Sequence, residues 1–115
     1  MLKRYVIINR MKAIKLLIIV QSTHEEQVRK ALGDVGAGTI GSYTHCQFAT
    51  KGEAQFMPVG NAAPAIGERF QLNIVPAVQI QTWCFESQLE EVVQAIKAVH
   101  PNEEPAIELV PFEMR

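Results

Sequence analysis

Two short stretches of the chain carry apolar residues at the spacing of an amphipathic helix, and they constrain the fold more than any other feature. In the first stretch the apolar positions are Val28, Ala31, Leu32 and Val35. In the second they are Leu89, Val92, Val93, Ile96 and Val99. Residues that recur three and four positions apart form one face of a helix. The sequence therefore predicts two helices, each of which packs one face on a sheet.

Signals for the ends of the helices flank both stretches. Ahead of each one, a Ser or Thr stands three residues before a Glu, in the pairs Ser22/Glu25, Thr23/Glu26 and Ser87/Glu90. Such pairs form capping boxes, in which the hydroxyl and the carboxylate each accept a backbone N–H. We expect Gly36 or Gly38 to end the first helix, because glycine adopts the left-handed conformation easily. Pro101 is expected to end the second helix.

The segments around the two helices have the composition of strands. Residues 13–21 are apolar enough for a central strand that is buried on both faces. Residues 43–50 alternate between apolar and polar, and we expect Lys51 and Gly52 to form a turn into a hairpin strand at 54–57.

Two further strands are predicted in the second half of the chain. Residues 70–85 contain a long strand whose first part lies at an edge or bulge, because Pro76 has no N–H to donate. Residues 106–112 alternate again and form a closing strand. The order predicts an α+β, ferredoxin-like βαββαβ sandwich, with two helices on one face of an antiparallel sheet. An additional hairpin or loop insertion is expected around residues 50–67.

The length and the apolar pattern bound the domain and its compartment. A chain of 115 residues fits one domain, which we place at residues 12–115, with residues 1–11 as an N-terminal extension. The longest apolar run, residues 16–20, is far shorter than the roughly 20 residues that span a bilayer. We expect neither a signal peptide nor membrane contact, and therefore a cytoplasmic protein.

Charge and cysteine content exclude several classes of function. The formal net charge is −1 and the basic residues form no large cluster, which argues against nucleic-acid binding. The two cysteines, Cys46 and Cys84, are too far apart for a metal-type pair and too few for a disulfide framework. We expect them to be small buried hydrophobes in a reducing compartment.

The candidates for chemistry are few, and we predict no catalytic residue. The run from Gly36 to Gly41 has the spacing of a dinucleotide fingerprint, but it follows a predicted helix instead of opening one. His45 and Cys46 are neighbours on a predicted strand, so their side chains are expected on opposite faces.

The densest group of potential ligands lies after the second helix. His100, Glu103 and Glu104 stand between two prolines and offer one imidazole and two carboxylates to a divalent metal ion. The alternative is structural, because a histidine at a helix C-terminus interacts favourably with the helix dipole.

Four segments of the chain together resemble a known protein family. Residues 36–48, 56–58, 64–67 and 100–106 resemble, in order, the inserted middle domain of the YqfO/YbgI family, also called NGG-interacting-factor-three-like. The resemblance implies a PII-like or CutA-like domain that assembles as a homo-oligomer, with a trimer favoured and clefts between subunits. The paired-metal site of the family lies in flanking halves and is not carried over. Asn102 stands where the family usually has tyrosine.

What the resemblance implies for function is a surface made of loops. The candidate ligand-binding residues are Gly41, Tyr43, His45, Cys46, Pro64, Ile66, Gly67, His100, Glu103 and Glu104. We expect their loops to lie close together. The preferred hypothesis is a non-enzymatic, oligomeric binding or regulatory module for a small ligand, a metal ion or a protein partner. The alternative is a metal-dependent hydrolase, or a subunit of one, that uses His100, Glu103 and Glu104 with His45 from a neighbouring chain.

Overall fold

A computed structural model describes residues 12–115 of the chain, and the predicted N-terminal extension at residues 1–11 lies outside this range. The elements, in chain order, are β1 (Ala13–Gln21), α1 (Glu25–Asp34), β2 (Phe48–Phe56), β3 (Asn73–Phe85), α2 (Leu89–Val99) and β4 (Ile107–Phe112). The strands form one sheet in the order β2-β3-β1-β4, and all neighbours are antiparallel. The predicted βαββαβ sandwich is confirmed. No helix within this range is long and apolar enough to cross a membrane.

The hydrophobic core lies between the two helices and one face of the sheet. Its fully buried large side chains are Leu16, Ile18, Val20, Val28, Leu32, Val78, Ile80, Val92 and Ile96. Both predicted helical stripes contribute to it, and so does the predicted face of β3. Removing each of these side chains from water contributes roughly 1.5–3 kcal/mol to folding.

Both helices begin differently from the prediction. A 3₁₀ turn precedes each one, at Ser22–His24 and at Glu86–Gln88, and none of the predicted hydroxyl groups caps a helix. Ahead of the second turn, Gln88 Oε1 accepts the N–H of Phe85 at 3.1 Å. The backbone N–H of Glu25 donates to the carbonyl of Ser22, and that of Leu89 donates to the carbonyl of Glu86. The capping boxes are therefore wrong, because the tighter turns supply backbone acceptors where hydroxyl groups were expected.

The helix ends agree with the prediction. Gly36 has a φ of +101°. Its N–H donates to the carbonyl of Gly33, and the N–H of Ala37 donates to the carbonyl of Leu32, both at 3.0 Å. This pair of bonds is a Schellman motif. Helix α2 ends at Val99, two residues before Pro101.

The predicted hairpin turn at Lys51 and Gly52 is wrong. Strand β2 runs through both residues and pairs with β3 along its whole length, with Gly52 opposite Ala77. It begins only at Phe48, so residues 43–47 are irregular. The real connection is the loop of residues 57–72. Continuous pairing with the long strand β3 outweighs the weak local turn signal of a Lys-Gly pair.

Strands β2 and β3 extend beyond the rest of the sheet as a two-stranded arm. Strand β1 pairs with β3 only from Ala77 onward, whereas β2 reaches Asn73. The molecule accordingly measures 53 × 23 × 20 Å. Pro76 lies in this arm, which confirms its predicted position at an edge.

The face of the sheet opposite the helices is open. Residues directly opposite each other on neighbouring strands share a face, and the register places on this face Lys15, Leu17, Ile19, Phe48, Gln79, Gln81, Trp83, Glu108, Val110 and Phe112. Strand β1 is central, as predicted, but Ile19 remains 44% exposed. The prediction that β1 is buried on both faces is therefore wrong within one chain, because both helices cover the same face of the sheet.

Candidate functional site

The predicted site residues fall into two groups at opposite ends of the sheet. The group around Gly41 is held near Trp83, whose carbonyl accepts a hydrogen bond from the N–H of Gly38 at 2.8 Å. The group around His100 is held at Ile19, whose carbonyl lies 2.8 Å from His100 Nε2. Trp83 lies opposite Lys15 on β1, and Ile19 is further along the same strand. The two groups are therefore held at points about 13 Å apart along β1. The expectation that all three loops meet within one chain is wrong.

Two of the three predicted loops do meet. A side-chain oxygen of Glu103 accepts a hydrogen bond from the backbone N–H of Ala63 at 2.8 Å. The cleft between these loops has a volume of about 710 Å³, and its lining includes Pro64, Ile66, Glu103 and Glu104. Four of the candidate ligand-binding residues therefore share one cleft.

Gly67 shapes the loop on one side of this cleft. Its φ is +90°, and a Cβ at this position would lie 2.9 Å from the ring of Phe56 and from the side chain of Asn73. Asn73 holds the same turn, because its Nδ2 donates to the carbonyls of Glu68 and Gln71. A residue with a side chain would push the loop away from Phe56, which lines the cleft.

The cleft combines apolar surface with two carboxylates and with the amide side chains of Asn61 and Asn102. Its charged lining residues are Glu103 and Glu104, while Phe56, Met57 and Ile66 supply apolar surface. One oxygen of Glu103 is already used by the backbone of the opposite loop. The arrangement is suited to a group that donates hydrogen bonds or carries positive charge next to an apolar part.

His100 positions the loop that carries Glu103 and Glu104, and it is not free to bind a metal ion. The ring is 7% exposed, its Nε2 donates to the carbonyl of Ile19, and its Nδ1 accepts the N–H of Asn102 at 3.1 Å. These partners define the neutral tautomer. Burial lowers the pKa of His100 from its ordinary value of 6.5, against the opposite effect of the bond to Ile19.

The metal-ligand prediction for His100, Glu103 and Glu104 is not supported by this geometry. Both ring nitrogens of His100 already have backbone partners. Between residues 12 and 115, no three His, Cys, Asp or Glu side chains are grouped to hold a metal ion. The structural role of His100 also differs from the predicted interaction with the helix dipole, because the hydrogen bonds of its ring go to strand β1 and to Asn102 in the following loop.

The second group is built around His45, which is not on a strand. Its φ is +60°, and its ring lies so close to Gly33 that a Cβ there would be 1.9 Å from the ring. Nε2 contacts Asp34 Oδ1 and Nδ1 contacts Thr44 Oγ1, each at 3.0 Å. Hydrogen bonds from Lys30 and then from His45 lower the pKa of Asp34. His45 therefore connects its loop to the end of α1.

Cys46, Gly41 and Tyr43 complete this second group. The carbonyl of Cys46 accepts a hydrogen bond from Thr82 Oγ1 at 2.9 Å, and its Sγ lies 4.0 Å from the carbonyl of Thr44. Gly41, with a φ of +57°, is in the turn that brings Ile40 and Tyr43 together. The side chain of Tyr43 is 75% exposed.

The two cysteines have different surroundings, and both are free thiols. Cys84 is 1% exposed, and burial raises its pKa to about 11. The prediction of a small buried hydrophobe is confirmed for Cys84. Cys46 is only half-buried.

Two residues that hold the cleft in place were not predicted from the sequence. Gln21 Nε2 donates to Asn102 Oδ1 at 2.9 Å, across the fold. Ala63 contributes only its backbone N–H. An amide at a strand end and an alanine in a loop carry no recognisable pattern, so only the folded geometry identifies them.

Comparisons of sequence identify relatives in which this chain corresponds to one segment. No protein-family model matches it. It is 44% identical over 98 residues to a Halalkalibacterium halodurans protein named GTP cyclohydrolase 1 type 2 homolog, covering 85% of the chain and 26% of that protein. The Bacillus subtilis protein of the same name is 42% identical over 99 residues, covering 86% and 26%. The chain thus spans about a quarter of the length of the curated relatives it matches.

Solved structures give the same relationship and confirm the fold. A Bacillus cereus protein related to NIF3 superposes with a TM-score of 0.74 at 39% identity, covering 89% of this chain and 26% of that one. The periplasmic divalent cation tolerance protein CutA from Archaeoglobus fulgidus gives a TM-score of 0.62 at 17% identity, covering 90% and 86%. The GlnK–ATP complex of Bacillus subtilis gives 0.59 at 11% identity, covering 88% and 82%.

Proposed function

We propose that this chain, which is homologous to one segment of the proteins named GTP cyclohydrolase 1 type 2 homolog, is a non-enzymatic binding or regulatory module in the cytoplasm. Its CutA- and PII-like fold supports the same proposal. The observation that carries the proposal is the hydrogen bond between Glu103 and the backbone of Ala63. It connects two loops that are far apart in sequence and encloses a cleft between them. Loops held by a rigid sheet are where binding sites usually lie.

The occupant of the cleft is a small ligand, a cation or a side chain of a partner protein. The cleft has apolar walls and two carboxylates, and its volume of about 710 Å³ lies within the usual range for small-molecule sites. Because no nucleophile lies beside a base among the described residues that line the cleft, the geometry supports binding rather than chemistry.

The module works as a homo-oligomer, with a trimer favoured, and the open face of the sheet is the surface that associates. Phe48 is 67% exposed there and Val110 is 41% exposed. Apolar sheet faces of soluble proteins are normally covered. The fold likeness to CutA and to the PII protein GlnK supports the same arrangement.

A thermal-shift screen tests the binding site directly. The panel contains Mg²⁺, Mn²⁺, Zn²⁺, ATP, ADP and small organic amines, each added to the full chain and to Glu104→Gln. The matched control is Glu91→Gln, at an exposed acidic residue on α2 outside the cleft lining. We expect one class to raise the Tm of the wild type and of the control, with a smaller rise for Glu104→Gln. If no class stabilises the protein, the cleft is not a small-ligand or ion site.

The hydrolase alternative makes a separate prediction that is simple to test. It requires a metal ion held across subunits by His100, Glu103 and Glu104 with His45 of a neighbouring chain. His100 would have to give up both of its backbone partners to take part. Metal analysis of protein purified without a histidine tag is expected to find far less than one equivalent. A stoichiometric metal ion would favour the hydrolase over the binding module.

A further inference from the structure

A second pocket lies on the helix side of the sheet, between α1 and the residues that lead into β2. Its volume is about 630 Å³, and its lining includes Glu25, Glu26, Arg29, Lys30, His45 and Gln47. None of these residues lines the cleft near Glu103 or belongs to the open face of the sheet. Binding in this pocket is therefore independent of the cleft and of association through the open face.

Three basic side chains border the pocket, but each of them already has a carboxylate partner. Arg29 Nη1 lies 2.9 Å from Glu25 Oε2. Lys30 and His45 share the carboxylate of Asp34, with Lys30 Nζ at one oxygen and His45 Nε2 3.0 Å from the other. An anion would have to displace these carboxylates. The number of basic residues therefore does not make this an anion site.

Gln47 supplies the pocket with a hydrogen-bond acceptor that lacks a donor. Its Nε2 donates to the backbone carbonyl of Arg29 at 2.8 Å. This bond fixes the orientation of the amide, because the reverse orientation would place two oxygens against each other. Its Oε1 is buried and has no partner in the part of the chain that the structure describes. A buried acceptor normally has a donor, since losing water without replacement is costly.

Glu26 brings a free negative charge to the same pocket. No ion pair within residues 12–115 involves its carboxylate, because the two cations nearest along the helix, Arg29 and Lys30, pair with other acids. Its side chain is exposed on the surface of α1. The groups of the pocket that still lack a partner are thus a neutral acceptor and an anion.

We propose that this pocket binds the primary ammonium group of a small polar compound. The ammonium donates to Gln47 Oε1 and to the Glu26 carboxylate, since it has three donors, one positive charge and no acceptor. It is more compact than a planar guanidinium and suits a single buried oxygen. The body of the ligand is polar, because no apolar residue lines the pocket. Oε1 is covered in the unliganded chain, so binding requires side chains at the rim to rotate, which the flexible stem of Lys30 allows.

A titration with ethanolamine tests the pocket. Ethanolamine is added to the ¹⁵N-labelled full chain, and the side-chain amide resonances of Gln47 are followed by NMR. Choline is the ligand control, because it keeps the hydroxyl group and the positive charge but has no N–H to donate. We expect saturable shifts with ethanolamine at millimolar concentrations and at least tenfold weaker binding of choline.

Variants separate the roles of the two acceptors. Glu26→Gln is expected to weaken ethanolamine binding at least threefold, whereas Glu91→Gln, on α2 and outside this pocket, leaves it unchanged. Ethanolamine is expected to raise the Tm of the wild type and not that of Gln47→Met, which keeps the length of the side chain but lacks the oxygen. If Gln47→Met does not fold, the Glu26 variant and the choline control still decide the question.

Three outcomes would overturn the proposal. The first is the absence of a saturable shift of the Gln47 resonances with ethanolamine. The second is equal binding of ethanolamine and choline, which would reduce the contact to charge alone. The third is a shift with inorganic phosphate in place of ethanolamine, because the basic side chains would then have left their carboxylates.

The result is distinguishable from that of the thermal-shift screen of the cleft. An amine bound beside Gln47 raises the Tm of Glu104→Gln as much as that of the wild type, whereas an amine bound in the cleft does not. Failure at Gln47 therefore leaves the proposed function standing, and failure in the cleft leaves this pocket standing.

Discussion

The imidazole of His45 occupies the space that a side chain on Gly33 would need. A Cβ built on Gly33 falls 1.9 Å from the ring, although Gly33 lies inside helix α1, where glycine is normally unfavourable. Glycine at this position lowers the intrinsic stability of the helix, but it leaves room for the loop of His45 to pack against it. His45 also has a left-handed backbone, which a residue with a side chain adopts at a cost of about 1–3 kcal/mol.

The first prediction concerns this contact. Gly33→Ala is expected to lower the free energy of unfolding by about 1–3 kcal/mol, because the clash outweighs the better helix propensity of alanine. In a His45→Ala background the same change is expected to stabilise the chain by roughly 0.5–1 kcal/mol, since the ring is gone. Urea denaturation of the four proteins measures both effects. If Gly33→Ala has the same sign in both backgrounds, the ring does not determine the glycine.

The second prediction concerns the pH dependence of stability. The pKa of His100 is lowered in the folded chain, mainly by burial, so protons bind the unfolded chain more readily. The free energy of unfolding should therefore be highest above pH 6.5, the ordinary value, and should fall as the pH drops from there toward the folded pKa. Protonated Nδ1 would also face the N–H of Asn102, two donors against each other.

His100→Gln isolates this effect from the other histidines. His24, whose charge also disfavours protonation of His100, is present in both proteins. We expect the stability of His100→Gln to change less between pH 7 and pH 5 than that of the wild type. Equal slopes for the two proteins would mean that His100 does not titrate differently on folding.

The third prediction concerns the link between the two loops of the cleft. Glu103→Ala removes the acceptor of the Ala63 N–H and is expected to cost about 0.5–1.5 kcal/mol of stability. Hydrogen exchange at the Ala63 amide should become faster. Glu103→Gln keeps a side-chain oxygen at the same reach and should protect that amide almost as well as the wild type. Glu104→Ala is the control, because no hydrogen bond joins Glu104 to the opposite loop. Fast exchange of Ala63 in the wild type would contradict the bond.

The fourth prediction concerns association through the open face. Ile19→Glu places a charge in the middle of this face and is expected to shift the protein from an oligomer to a monomer, as measured by light scattering. Leu109→Glu is the matched control, because Leu109 is 45% exposed, as Ile19 is at 44%, but lies on the face that carries the helices. A monomeric wild type, or dissociation of both variants alike, would remove the open face as the interface.

Periodicity predicted the regular elements because it reports directly on burial. The stripes that contain Val28 and Val92, and the alternation through Val78, correspond to side chains that are almost completely buried. Local signals had mixed success, because Gly36 ends α1 as predicted whereas the signals for the helix caps and the hairpin turn failed. Ser22, Ser87 and Lys51-Gly52 had suitable neighbours for caps and a turn, but 3₁₀ turns and a long strand partner supplied better hydrogen bonds.

The grouping of the candidate loops was predicted in part, for reasons that follow from the topology. The loops of Ile66 and Glu103 meet because the β2–β3 connection and the end of α2 lie at the same end of β1, near Gln21. The loop of His45 begins at the end of α1, which lies at the opposite end. A motif resemblance reports which loops matter in a family, whereas the direction of each strand decides which of them can touch.

The two-stranded arm has a consequence for how this chain behaves at high concentration. Residues 73–76 of β3 pair with β2 on one side, and no strand within residues 12–115 pairs with them on the other. An unpaired edge of this kind is a template on which another extended chain can add and begin an aggregate. Pro76 cannot donate an N–H to an added strand, so the row of hydrogen bonds between that strand and β3 would be interrupted there. Pro76, although a poor strand former, thereby protects the unpaired edge of the sheet.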